Sequence, residues 1–170
     1  MLLSLTVTAQ QVKPLTFSEV IQVEGKTKAE IFGGLKLWVA TAFNSGKVVT
    51  DLEDSENGVL VLKPSFRFKK GMFMKAYEGT VTYTLKIQAK DGRYRVEMST
   101  INHQNDPGNA ADCCLGLLTT AEKTDKGGMN KGTHNKIWKE LKEKAAEEFA
   151  EITASLKAFN QFEEQQEEEW

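Results

Sequence analysis

The chain has 170 residues, 40% of them hydrophobic and 27% charged, with a formal net charge of -2. That length suits one domain with a real core, the composition lies in the ordinary globular range, and the charge excludes overall basicity as a means of holding a polyanion. The charge is uneven: residues 1–134 hold 17 Lys+Arg against 14 Asp+Glu, and residues 135–170 hold 5 against 10.

Met1–Ala9 reads MLLSLTVTA and is followed by two glutamines. A short apolar run ending in small residues reads as the tail of a secretory signal peptide, which places the protein in the periplasm or outside the cell. No basic stretch precedes the run, and a plain cytosolic N-terminus is the alternative. No later segment approaches the roughly 20 apolar residues that span a bilayer.

A first strand is predicted over Leu15–Val23, rich in strand formers but imperfect in alternation. Thr27-Lys-Ala-Glu30 is a capping box opening a helix to about Asn44, with Ile31, Leu35, Trp38, Val39 and Ala42 at helical spacing and Gly46 as its stop. Gly33-Gly34 inside this helix reads as a place where helix and sheet approach closely. Lys47–Glu53 is a second strand, Asp54–Gly58 a turn, and Val59–Leu62 a third strand that Pro64 interrupts. From there to Lys70 the pattern allows an edge, a bulge or a second short strand.

The strongest local signal is a hairpin. Thr80–Lys90 and Arg93–Thr100 both alternate, and Asp91-Gly92 between them is a two-residue turn. That turn pairs Lys90 with Arg93, Ala89 with Tyr94, Ile87 with Val96 and Leu85 with Met98. It also sets Lys86 opposite Glu97. Apolar then meets apolar on one face, leaving Thr80, Thr82, Thr84, Lys86, Gln88, Arg95 and Glu97 on the other. His103–Gly132 is a long connection in which Ala110–Leu118 is predicted as a short helix. Asn135 to about Phe162 is the last helix, with Ile137, Leu141, Ala145, Phe149, Ile152, Leu156 and Phe159 in one stripe. Glu163–Trp170 is an acidic tail, and 15–162 is the single domain.

This β-α-β-β-β-β-α order resembles a family of exported proteins from Gram-negative gut bacteria, a domain of unknown function with a TATA-binding-protein-like fold. The resemblance covers about Phe17–Ile101. It rests on Val20-Ile-Gln-Val-Glu-Gly25, the helix with Trp38 and Phe43, Asp54-Ser-Glu-Asn-Gly58-Val-Leu and Lys90-Asp-Gly-Arg-Tyr-Arg95. It implies an α+β domain with an antiparallel sheet and both helices on one face. The expected order places the second strand at one edge. The third strand and the two hairpin strands follow, and the first strand closes the other edge. The resemblance implies no activity.

Few residues suggest chemistry. Cys113-Cys114 lack zinc-site spacing; they read as two small buried residues beside Leu115 and Leu118, with a vicinal disulfide or a metal or redox role as alternatives. His103, Asp106, Asp112, Cys113, Cys114 and His134 fall in one stretch, from which a metal cluster is imaginable, though His134 reads as a solvated residue at a helix start. Phe66-Arg-Phe-Lys-Lys70 and Met72-Phe73-Met74-Lys75 interleave rings and cations as single-strand readers do, but an amphipathic strand with inward rings and edge lysines accounts for them better. No nucleophile elbow, phosphate loop, dinucleotide fingerprint or zinc-protease motif occurs, so no catalytic, cofactor or metal residue is named. The expected function is a non-catalytic binding module of the cell envelope for a protein, glycan or small molecule, with no nucleic acid as partner. The alternative is a small-molecule or lipid carrier with a pocket between sheet and helices lined by Trp38, Tyr83 and Phe149.

Overall fold

The computed structural model describes residues 11–43, 49–127 and 130–168. The expected leader Met1–Ala9 and the expected helix stop at Gly46 lie outside the described residues. The strands are β1 (Phe17–Gln22), β2 (Val49–Asp54), β3 (Val59–Lys63), β4 (Ser65–Phe68), β5 (Gly79–Lys90), β6 (Arg93–Asn105) and β7 (Gly116–Leu117). The helices are α1 (Lys28–Ala42) and α2 (Lys131–Glu168).

The sheet has seven strands in the order β1-β6-β5-β3-β2, with β4 also on β5 and β7 on β6, and every pairing is antiparallel. This is the α+β architecture and strand order expected from the sequence, with two short strands added. Pro64 has no N–H for the ladder, so the third strand breaks there and resumes as β4. The hairpin register is the predicted one, from Lys90↔Arg93 through Ile87↔Val96 to Leu85↔Met98. Gly92 takes the positive φ of +73° that a two-residue turn needs.

The hairpin runs further than Thr100, because a bulge resets its phase. Thr84 pairs with Ser99 but Thr82 with Asn102, so Thr100 and Ile101 together face Tyr83. Thr100 has φ +51°. Simple alternation from Met98 would bury Thr100 and Asn102; beyond the bulge the buried residues are instead Ile101 and His103, and β6 continues to Asn105. Gly79 stands at the far end of β5 opposite Asn105, where any Cβ would lie 2.1 Å from the Gln104 carbonyl oxygen.

Alternation divides the sheet. Val81, Leu85, Ile87, Val96, Met98 and Ile101 are wholly buried on the inner face, with Tyr83 and Tyr94 beside them. Both helices cover this face. The Trp38 Nε1–H donates to Ser155 Oγ at 3.0 Å, tying α1 to α2, and the Tyr94 hydroxyl accepts from Asn160 at 2.8 Å. The capping box forms as predicted: the Thr27 amide donates to Glu30 Oε2 at 2.7 Å, and hydrogen bonds from Thr27 hold the Glu30 carboxyl below its ordinary range.

Three expectations need correction. Of the Gly33-Gly34 pair, Gly33 is exposed and a Cβ there would meet nothing within 4 Å, so it does not mediate a close approach, whereas Gly34 is half-buried. Ala110–Leu118 is not a helix: a 3-10 turn at Ala111–Cys113 leads into β7, whose two residues pair with Asn102 and His103. The last helix begins at Lys131, before the expected Asn135, and its backbone continues to Glu168.

Candidate functional site

The outer sheet face is the first candidate. Thr82, Lys86 and Lys90 of β5, Arg93 and Arg95 of β6, and Ser18, Val20 and Gln22 of β1 are exposed, while their strand neighbours are turned inward. This is the face expected from the hairpin alternation. Two apolar side chains, Val20 and Leu52, are each 49% exposed on it. The pairing Leu52↔Val61 places Leu52 in line with Val61, Lys86 and Glu97 across the strands. Near the Asp91-Gly92 turn lies a hollow of about 190 Å³ lined by Val20, Gln88, Lys90, Arg93, Tyr94 and Arg95. The Arg95 Nε–H donates to Ser18 Oγ at 3.0 Å, and its Nη2 lies 3.7 Å from Glu97.

The stretch holding His103, Asp106, Asp112, Cys113, Cys114 and His134 is dispersed by the fold. Asp106 turns outward to a two-pronged pair with Arg67 at 2.7 and 2.8 Å, which holds its carboxyl below the ordinary range. Asp112 is exposed. Both cysteines are free thiols, Cys113 buried and Cys114 half-buried; burial pushes the Cys113 thiol upward. Among the described residues no three His, Cys, Asp or Glu side chains are grouped as a metal ion requires.

Two histidines do enter the core. His103 is fully buried on β6, its Nδ1 accepting the Leu115 amide at 3.3 Å and its Nε2 donating to the Tyr77 carbonyl at 3.0 Å. These two bonds select the neutral ring with the proton on Nε2, and burial lowers its pKa from 6.5. His134 is not solvated: it is 1% exposed, because α2 starts a turn early and carries it against Tyr77, whose hydroxyl lies 3.0 Å from its Nδ1. Tyr77 also meets Cys113, and burial raises its pKa to about 12. Sequence reasoning passed over Tyr77, which reaches His134 across 57 positions. The cluster joins the Met72–Tyr77 turn, β6 and α2 through Tyr77, His103 and His134.

The residues named for a carrier pocket are packed against neighbours. Trp38 is 2% exposed and meets Phe43 edge to face. The Tyr83 hydroxyl donates to Glu148 at 2.8 Å, and burial above all pushes its pKa far up. Phe149 is half-buried and stacks on Phe17 at 5.7 Å between ring centres. The ring-and-cation stretch splits in two. In β4, Phe68 is buried and Phe66 half-buried against Tyr83, with Arg67 outward, as an amphipathic strand requires. Lys70 pairs with Glu140 and lies 5.4 Å over the Phe68 ring. The Met72–Tyr77 turn instead lifts Phe73 fully into solvent, at 101% exposure.

No helix among the described residues is long and apolar enough to cross a membrane. No curated protein matches the chain. The fold recurs in crystal structures. A TBP-like protein from Parabacteroides distasonis is 17% identical, with TM-score 0.58, covering 85% of this chain and 93% of its own. A DUF4468 family protein from Bacteroides ovatus is 16% identical, with TM-score 0.56, covering 84% and 86%. Residues 17–104, just over half of the chain, match the domain of unknown function DUF4468 with TBP-like fold. The chain belongs to the DUF4468 family, and its antiparallel sheet with helices is a TBP-like fold.

Proposed function

We propose that the protein is a non-catalytic binding module of the bacterial cell envelope that offers its outer sheet face to a partner. The observation that carries this reading is the bare face itself. Helices cover one side of the sheet, while the other presents threonines, cations and the half-exposed Val20 and Leu52. Polar groups at a rim with a few apolar contacts are the composition of a protein-surface interface. Preference over a carrier comes from the inner side, where Trp38 and Tyr83 are buried and each directs its polar atom to α2. The envelope location is supported by the sequence of Met1–Ala9 alone.

Native mass spectrometry of protein purified from its own host tests this reading. The module should appear as the bare chain or with a protein or glycan partner. A stoichiometric small molecule retained through purification, and lost only on unfolding, would overturn it in favour of a carrier.

A further inference from the structure

The hollow beside the Asp91-Gly92 turn joins three cations that the fold leaves poorly neutralised. Lys90 and Arg93 are cross-strand partners, and Arg95 follows Arg93 by two residues on the same face of β6. Like charges set directly opposite destabilise a strand pair, so a carboxylate is expected among them. Asp91, between Lys90 and Arg93, does not serve: its Oδ1 accepts the Lys28 amide at 2.7 Å, at the start of α1. Arg95 is shared with Ser18 and, at 3.7 Å, with Glu97. Lys90 and Arg93 make no side-chain hydrogen bond or ion pair among the described residues. The hollow also has an apolar wall, since Val20 pairs with Arg95 across the strands and is half-exposed there.

Resting on the reading of this face as a binding surface, we propose that the hollow binds a carboxylate carried on a short apolar stem. The guanidinium fork of Arg93 matches the two oxygens of a carboxylate. Lys90 adds a second charge, the Gln88 amide offers a hydrogen bond, and Val20 receives the stem. The volume of about 190 Å³ is slightly above the ~150 Å³ of a cavity that takes benzene, which suits a head and a stem of a few carbons. A peptide C-terminus and a short-chain fatty acid both present this chemistry.

The test is a ¹⁵N–¹H correlation titration of the full chain at low salt with three probes. Hexanoate carries head and stem, hexanamide the stem without the charge, and inorganic phosphate the charge without the stem. Hexanoate is expected to move the Val20, Gln88, Arg93 and Arg95 amides saturably, with hexanamide and phosphate at least tenfold weaker. Acetyl-dileucine and its C-terminal amide then separate the two sources: tighter binding of the free acid than of hexanoate identifies a peptide end. Arg93→Gln and Lys90→Gln should each weaken hexanoate about tenfold while keeping a dispersed, folded spectrum. Lys86→Gln, on the same face outside the hollow, should leave it within twofold. The inference is overturned if hexanoate gives no saturable shift, if hexanamide or phosphate matches it, or if the shifts lie elsewhere. The fate of the wider reading is separate. Photocrosslinks to a partner from Thr82 on the same face, with hexanoate silent, remove the hollow and keep the face. Their absence removes the face as well.

Discussion

Replacing Gly79 by alanine sets a Cβ 2.1 Å from the Gln104 carbonyl oxygen, 2.8 Å from its carbon and 2.6 Å from Asn105 Cα. All three are backbone atoms of the paired strand, so no side-chain rotation relieves the contact. Ordinary van der Waals approach requires the strands to part by more than an ångström at the end where Gly79 faces Asn105 and Phe68. Overpacking of that kind costs about 1–3 kcal/mol, and each ladder hydrogen bond lost adds roughly 1 kcal/mol. The expected loss is about 2–4 kcal/mol, or a fall in Tm of about 5–15 °C for a chain of this size. Gly33→Ala is the internal control. It is the same chemical change on an exposed face of α1, where the Cβ meets nothing within 4 Å. It should raise stability by about 1 kcal/mol through helix propensity, which is about 2–4 °C in Tm. Calorimetry or urea unfolding monitored by circular dichroism reads both. A Gly79→Ala protein that melts with the wild type would refute the pairing of β5 and β6 at that end.

Acidification isolates His103. Its folded pKa lies below 6.5 because it is buried, so the unfolded chain takes up a proton that the folded chain resists. Its contribution is complete above about pH 6.5 and is lost as pH falls through that value towards the lower, folded one. Urea midpoints at pH 7.5 and 5.5 should show the loss, and His103→Gln, which keeps a donor and an acceptor without titrating there, should flatten it; equal slopes would contradict the burial argument. Trp38→Ala should cost about 3–5 kcal/mol, whereas Phe149→Ala should cost less, about 1–2 kcal/mol, because its ring is only half-buried; denaturant unfolding of both checks the order, and a reversal would misplace α2. Duplex DNA at about 150 mM salt should bind no better than the 10⁻⁴–10⁻⁶ M of non-specific contacts in a fluorescence-anisotropy titration, since the aromatic side chains described on the strands, Phe17, Phe66, Phe68, Tyr83 and Tyr94, pack into the core; tight, sequence-dependent binding would overturn the reading of that face.

The hairpin was legible because two independent signals coincide: Asp91-Gly92 sets the register, and the alternation of Leu85, Ile87, Val96 and Met98 requires the same one. Sheet order followed from the resemblance and from an apolar pattern on one face only. The bulge was not legible, since two successive polar residues, Ser99 and Thr100, look like a strand end when the partner strand is unknown. Nor was the burial of His134, which depends on Tyr77 and on where α2 starts. The hollow was half visible. Alternation placed Gln88 and Arg95 on the open face and the turn paired Lys90 with Arg93, but Val20 joins them only through the β1–β6 pairing. One signal was present: Val20 is out of phase with the inward Ile21 and Val23, and an apolar residue out of phase on a half-buried strand points outward. That Asp91 is drawn away to α1 rests on a contact across 63 positions, which no local pattern reveals.

The central claim is that the uncovered sheet face meets the partner, and site-specific photocrosslinking in the source cells tests it most directly. A benzophenone side chain placed at Thr82 or Lys86 samples the outer face, and one at Lys139, which is exposed on α2, samples the opposite side. The account predicts a discrete adduct from positions 82 and 86, reproducible in mass, and none from position 139. Adducts from position 139 alone, or none from the sheet face, would contradict it.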